Sequence, residues 1–388
     1  MTERDTQHLR ALRRELIERF PVLPTRYWAD FLGSALVGWT AFGVAAVVPW
    51  TSRWLPVALV AFVVAAMALL RAGYFVHEIA HQRRALPGFE LAWNLIVGLW
   101  ILVPSFMVDA HGDHHRLSTY GTARDPEYER VARFSRPVLV ANVAVMLIVG
   151  PALALRFAVL APLSWVFPPL RALVIGRLSA LATNERYRNE HLDGSSARVV
   201  ALEIAATAVV WSVIGAWYAG AIGTRLLLTW YVIVSIAFVS NQIRTLVAHA
   251  YEGTGDTLSF AEQVADSVTV HGPWWLTGIV YPVGTQHHAL HHLAPSLAYH
   301  ALPDAHRWLT AQGTPASYRA AERRGLIDAV AQLWARAHSA GARLVPGSHP
   351  VALRTGARRV HQATAQPGGF VGHGVLVHVE PPSESGRR

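Results

Sequence analysis

Long apolar runs alternate along this chain with short stretches that carry arginine, histidine and acidic residues. Phe31 to Trp50 reads FLGSALVGWTAFGVAAVVPW, uncharged over about 20 residues, the length a helix needs to cross a bilayer. Trp54 to Leu70 follows a turn that holds only Arg53, which predicts a helical hairpin returning to HEIAHQRR on the side it left. Leu91 to Val108 is apolar as well, but Pro104 interrupts it, Asp109 ends it, and histidines cluster on both flanks. If both clusters serve one site, this segment turns back, as a re-entrant or interfacial hairpin. Pro137 to Leu160 and a broken run from Leu163 to Leu181 predict a further helix pair or a shallowly embedded segment; Arg156, Arg171, Arg177 and the Pro168-Pro169 pair leave both open. Val199 to Ala219 and Leu226 to Gln242 predict a last hairpin that ends in NQIRTLVAHAYE.

These spans divide the chain into a polar segment 1–30, a membrane domain 31–342 and a tail 343–388. The tail is rich in Gly, Pro, Ser and Arg, a composition that predicts disorder. Ser317 to Ala337 predicts one helix with arginines on one face, and HGPWWLTGIVYPVG predicts a segment lying along lipid headgroups. Composition agrees with an all-α polytopic membrane protein: 52% of residues are hydrophobic and 15% charged, against roughly 25% charged in a soluble domain.

Cysteine is absent, which removes disulfides, thiolate metal sites and cysteine-bound clusters together. Any metal must be held by nitrogen and oxygen. The net charge of +9 comes from arginine alone, and the arginines do not gather on one soluble module, so a nucleic-acid partner is not expected. Arg10, Arg13, Arg14 and Arg19 before the first span, and Arg83 and Arg84 after the second, place both ends of the first hairpin on the cytoplasmic side.

Chemistry concentrates in His77-Glu78-Ile79-Ala80-His81, His111-Gly112-Asp113-His114-His115 and His288-Ala289-Leu290-His291-His292. With 20 histidines in 388 residues, one HxxHH pattern arises by chance about 0.05 times. Two copies and an HxxxH at span ends therefore point to a site. Histidines three or four apart on a helix share a face, and adjacent ones diverge by about 100°, so each doubled pair can serve two different metals. Neutral imidazole suits iron, copper, nickel and zinc. His249, at the end of the last span, reads either as a ligand or as a hydrogen-bonded interfacial residue. His287 and His271 are weaker candidates. Glu78, Asp109, Asp113 and Asp125 are near enough in sequence to accept a hydrogen bond from a metal-bound imidazole. Asn241, Gln242 and Arg244 end an apolar helix, where polar groups are costly unless they face a site, a substrate or a headgroup.

The order HxxxH, HxxHH, HxxHH, with a long membrane interval before the third box, resembles the membrane fatty acid desaturase and hydroxylase superfamily. The likeness runs from Phe31 to Arg307 and includes HHLAPSLAYHALPDAH after the third box and GDTLSFAEQVADSVTVHG, similar to bacterial desaturase-like sequences. It implies two non-haem iron ions bound by His77, His81, His111, His114, His115, His249, His288, His291 and His292. In one departure, Thr245 stands where the acyl-CoA desaturase branch has an asparagine associated with a metal-bound water.

The resemblance implies a dioxygen-dependent oxidoreductase of the bacterial cytoplasmic membrane, with its site on the cytoplasmic face and a lipid acyl chain as substrate. Desaturation is the leading expectation; a hydroxylase or ketolase of the same superfamily is the alternative, and a histidine-rich metal transporter the remote one. Electrons come from a separate donor, a ferredoxin or a b-type cytochrome, with Arg124, Arg130, Arg133 and Arg136 as a basic surface on which it docks.

Overall fold

The computed structural model describes residues 3–128, 135–253 and 255–342. The tail 343–388, and with it the expectation of disorder, lies outside the described residues, as do Arg130 and Arg133. Among the described residues five helices are long and apolar enough to cross a membrane: Pro24–Val47, Leu55–Gln82, Met146–Val166, Ala197–Tyr218 and Thr224–Leu246. Strand is confined to one two-residue parallel pairing, Thr269–Val270 with Glu322–Arg323, so the fold is all-α and polytopic.

The first spanning helix begins at Pro24 rather than at Phe31. Proline at the first helical position loses no hydrogen bond and presets φ, and a buried stripe of Tyr27, Phe31, Ala35 and Gly38 runs along one face. That stripe packs on Leu55–Gln82 so closely that a Cβ at Gly38 would stand 3.1 Å from the Leu69 backbone nitrogen. Away from the stripe Leu36 and Val60 are 70% and 62% exposed, apolar surface suited to lipid and not to water.

The segment after Leu55–Gln82 enters and turns back. Phe89–Trp93 continues as a π-helical turn over Asn94–Gly98, the chain reverses through Leu102 at φ 59°, and a short 3₁₀ turn, Ser105–Val108, returns. Asn94 closes the hairpin on itself: its Oδ1 accepts from the Ser105 N–H and its Nδ2 donates to Ser105 Oγ, both at 2.9 Å. Both feet are tied by ions, with Arg83 donating to Glu90 and Asp109 (each 3.0 Å) and Arg198 to the same two carboxylates. Asp109 therefore fastens the hairpin and is not among the partners of the histidine rings.

Between residues 136 and 178 one helix of spanning length forms, Met146–Val166, and not a pair. Pro168–Leu178 has 11 residues, roughly 16 Å of helix, too short to cross. Arg156, in the first of these helices, is fully enclosed, which it tolerates because Glu203 accepts from it at 3.0 Å and from Arg171 at 2.5 Å. Removing either partner of a buried pair leaves an uncompensated charge.

Beyond Leu246 short helices cap the histidine region. Ser259 and Glu262 form a capping box at Phe260–Asp266, and Trp274–Val280 leaves Trp274 84% exposed. The single helix expected over 317–337 is divided: Ala316–Ala320, then Glu322–Arg323 in the strand pair, then Leu326–Ala342. Pairing with Thr269–Val270 takes up the backbone groups that a continuous helix would have used. Leu9, Leu12 and Leu16 of the N-terminal helix Glu3–Arg19 are buried in the same core as Phe260 and Leu290.

Candidate metal centre

Three helix ends and one loop bring nine histidines together. His77 and His81 occupy the last turns of Leu55–Gln82; His111–His114 and His288–Leu293 are one- and two-turn helices that carry the other boxes. His249 follows the last span, its backbone bridged to Ser267. His77, His81, His111, His115 and His291 form one group with nitrogens within 4.8 Å of one another, and His114, His249, His288 and His292 form a second. Each doubled histidine divides: His115 and His291 face the first group, His114 and His292 the second. The 100° between neighbouring helical side chains produces that split.

Within the groups Nε2 atoms face Nε2 atoms. His249 lies 3.1 Å from His114 and 3.0 Å from His288, which lies 3.1 Å from His292; His115 lies 2.9 Å from His111 and 3.1 Å from His291. Between His114 and His249 hydrogen bonding does not account for this. A carboxylate only accepts, so His114 Nδ1, 2.9 Å from Asp125 Oδ1, and His111 Nδ1, against Glu127, must each carry the ring proton. His249 is fixed likewise: Tyr120 donates to Asp266 at 2.8 Å and its oxygen accepts from His249 Nδ1 at 2.9 Å. The Nε2 lone pairs of His114 and His249 are thereby turned toward one another, which a cation between them relieves. Two nitrogens about 2.1 Å from one ion and 90° apart are about 3.0 Å from each other, which is the spacing found. His77 Nε2 and His81 Nε2 are buried with no protein partner. The donor set thus fits two metal ions of imidazole preference.

Electrostatics point the same way. Burial and mutual repulsion between the rings hold His115, His288, His291 and His292 well below the usual imidazole range, neutral and able to donate a lone pair. Burial would raise the Glu127 carboxyl, but His111 and His114 outweigh it and hold it well below the usual range. His114 is the exception: despite burial it is raised to about 8 by Asp125 and Glu127, which favours its protonated form when no metal is bound.

The expected neighbours divide. Glu78 is buried beside His77 Nδ1 at 3.3 Å and accepts from Tyr27 at 2.7 Å. Asp113 is turned aside: it accepts from Arg116 at 2.7 Å and Tyr187 at 2.9 Å. His287 belongs to neither group; its ring lies 4.9 Å from that of His306, which with His271 and Glu322 makes a separate, partly exposed cluster. Arg136 covers the Trp334 ring at 4.9 Å, and among the described residues of the expected basic surface Arg124 is the exposed one. Glu127, Tyr120, Asp266 and Gln263, whose amide lies 3.2 Å from His292 Nδ1, escaped the sequence reading. Glu127 lies two residues beyond the candidate Asp125, but no local pattern marks Tyr120, Asp266 or Gln263.

A cavity of about 1160 Å³ adjoins the first group, larger than the usual 300–1,000 Å³ of a small-molecule cleft. His77, His111 and Glu127 line it, as do Leu69, Val149, Leu153 and Ile233 along an apolar reach and Asn241, Gln242 and Arg244.

The chain matches the fatty acid desaturase family model over residues 52–323. It is 37% identical over 313 residues to a ceramide hydroxylase of Caulobacter vibrioides (strain NA1000 / CB15N), covering 80% of this chain and 88% of that protein. Histidine boxes, spanning helices and family match agree on a membrane oxidoreductase of lipid metabolism with metal-binding histidines, and the chain belongs to the fatty acid desaturase family.

Proposed function

We propose that this protein is a membrane lipid hydroxylase, dependent on two iron ions and dioxygen, that inserts one oxygen atom into the acyl part of a ceramide-like lipid. The observation that carries the reading is the identity to a ceramide hydroxylase over most of both chains. It reverses the order expected from the boxes, in which desaturation led and hydroxylation was the alternative. Boxes hold the oxidant; they do not choose the outcome. A metal-transport path finds no support in a family of oxidoreductases.

His77, His81, His111, His115 and His291 would hold one ion, and His114, His249, His288 and His292 the other. Bound iron supplies the oxidation of an unactivated methylene by dioxygen, chemistry that no side chain carries. Asp125, Glu127 and Tyr120 keep the ring protons on Nδ1 and so keep each Nε2 available. Leu69, Val149, Leu153 and Ile233 hold the acyl chain in a dry channel that passes His77 and His111. The balance is one C–H bond, one dioxygen, two electrons and two protons giving one C–OH and one water. The electrons come from a separate ferredoxin or b-type cytochrome at the cytoplasmic face of the bacterial membrane.

Expression in a ceramide-producing host, with lipid mass spectrometry and metal analysis of the purified protein, tests the reading. Ceramide gaining one oxygen atom supports it. Ceramide or another acyl lipid losing two hydrogens without gaining oxygen returns desaturation to first place, and purified active protein without iron overturns the metal assignment.

A further inference from the structure

The cavity wall contains a buried cation with no acidic partner. Arg244 is 4% exposed, and among the described residues no carboxylate forms an ion pair with it; its Nε and Nη2 donate instead to Asn241 Oδ1 (3.3 and 3.2 Å) and Thr245 Oγ1 (2.9 Å). The other enclosed arginine among the described residues, Arg156, is paired with Glu203. Keeping a charge out of water without a counter-charge is costly, and in a membrane protein such a group marks a place where something polar is received. Nη1 of Arg244 makes none of these bonds, and the residue lines the cavity beside Asn241 and Gln242.

Its position relative to the histidines is set by one ring. The guanidinium carbon sits 4.5 Å over the Tyr74 ring, and Tyr74 stacks on His77 with centroids 5.2 Å apart and planes at 25°. Those two steps keep the guanidinium within about 10 Å of the His77 ring. Tyr74 also lines the cavity, so the row Arg244, Tyr74, His77 forms a stretch of its wall.

We propose that Arg244 is the anchor for the acyl carbonyl oxygen of the substrate, and that it fixes oxidation to a carbon near that carbonyl rather than to the middle of the chain. This deepens the hydroxylase reading and rests on it for the choice of lipid. A carbonyl oxygen held by Nη1 leaves only a few carbon–carbon bonds, each about 1.5 Å, before the chain reaches the His77 side of the cavity. The remainder of the chain extends along Leu69, Val149 and Ile233. The recognised chemistry is a carbonyl-type acceptor beside an apolar chain, which an N-acyl amide and a free fatty acid share.

The test uses iron-loaded, full-length protein in detergent. Binding of a ceramide, of an uncharged counterpart in which an ether link replaces the amide and so lacks the carbonyl oxygen, and of a free fatty acid of equal chain length is measured for wild type, Arg244→Leu and Arg244→Lys, with iron content as the control for an intact site. Hydrogen bonds to a charged group that go unmade predict a loss of about 10- to 100-fold. Wild type is therefore expected to prefer ceramide over the ether lipid by that factor, Arg244→Leu to lose the preference while keeping iron, and Arg244→Lys to keep part of it. Product analysis is expected to place the hydroxyl within a few carbons of the carbonyl carbon. Equal wild-type affinity for the two ceramide forms, or an Arg244→Leu variant that retains the preference, overturns the anchor, as does a mid-chain hydroxyl. A preference for the free fatty acid that depends on Arg244 supports the anchor and names the carboxylate as its source. Carbonyl-dependent binding by a wild type that oxidises no ceramide leaves the anchor standing and removes the hydroxylase reading.

Discussion

Replacing Asp125 by asparagine changes one charge at one end of the histidine assembly. The carboxylate is wholly buried and meets four donors: Oδ1 accepts from His114 Nδ1 at 2.9 Å and from the backbone N–H groups of Glu127 (2.9 Å) and Tyr128 (3.1 Å), and Oδ2 accepts from Gly121 N–H at 3.0 Å. In Asp125→Asn the amide oxygen takes the Oδ1 place, where three donors converge. The amide NH₂ then faces the Gly121 N–H, a donor against a donor in a dry site, at about 1–3 kcal/mol. His114 keeps its tautomer but donates to a neutral acceptor, a bond about half as strong as the charged one. Loss of such a partner lowers metal affinity about 10- to 100-fold, ~1.4–2.8 kcal/mol. His114 belongs to one group of nitrogens only. Iron binding against a chelator buffer should therefore show one site weakened by that factor and the other within twofold of wild type, with thermal denaturation reporting the stability loss separately. Glu127→Gln should do the reverse, weakening the group that contains His111. Equal weakening of both sites in each variant, or none in either, refutes the division of the nine histidines into two independent holders.

Acid should release the metal and destabilise the metal-free protein together. His115, His288, His291 and His292 have native imidazoles depressed below the ordinary value of 6.5, so below about 6.5 the unfolded chain takes up protons that the native one refuses, and stability present above that value is lost as pH falls. A melting temperature of the metal-free protein unchanged between about pH 8 and about pH 5 would contradict this. Val149→Trp, which fills the apolar reach of the cavity, should reduce turnover while leaving iron content unchanged, read by metal analysis beside lipid mass spectrometry. Gly38→Leu should loosen the first helix pair by about 1–3 kcal/mol, since the added Cβ meets Leu69 Cγ and Cδ2 at 2.8 Å and, behind them, the Leu69 backbone nitrogen at 3.1 Å, which cannot move aside; denaturation in detergent measures it.

The spans and the boxes were legible because their signals are local. An uncharged run of spanning length, or three histidines within five positions, carries its meaning wherever the chain goes. The turned-back segment was legible for a different reason: histidines on both flanks left the intervening run no other course, and Asn94 with Ser105 now supplies the clasp. The partners of the histidines were legible only where they sit beside a box. Glu78 and Asp125 qualified. Tyr120 and Asp266 meet His249 across more than a hundred residues of chain in one case and through a loop in the other, and nothing in TYGTARD or AEQVADSV announces it. Asp113 misled by the same proximity, because its position on the short His111–His114 helix points it at Arg116 and Tyr187.

Sequence order also conceals how far the outcome of the reaction lies from the residues that hold the metal. A superfamily whose boxes are alike but whose products differ must choose the product by where the substrate stops and which carbon it presents. In this chain the histidine groups are set by three helix ends and their carboxylates, while the stopping place is set by the last turns of Thr224–Leu246, where Asn241, Gln242 and Arg244 meet the cavity. The two parts are joined through Tyr74, which touches His77 on one side and Arg244 on the other. With the proposed anchor, changes at position 244 are expected to redirect the substrate while the histidines keep their metal, whereas changes at Asp125 reach both parts, since its carboxylate also holds the backbone N–H groups of Glu127 and Tyr128, which line the cavity. The proposed anchor therefore places the search for the determinant of product on the cavity wall and not in the boxes.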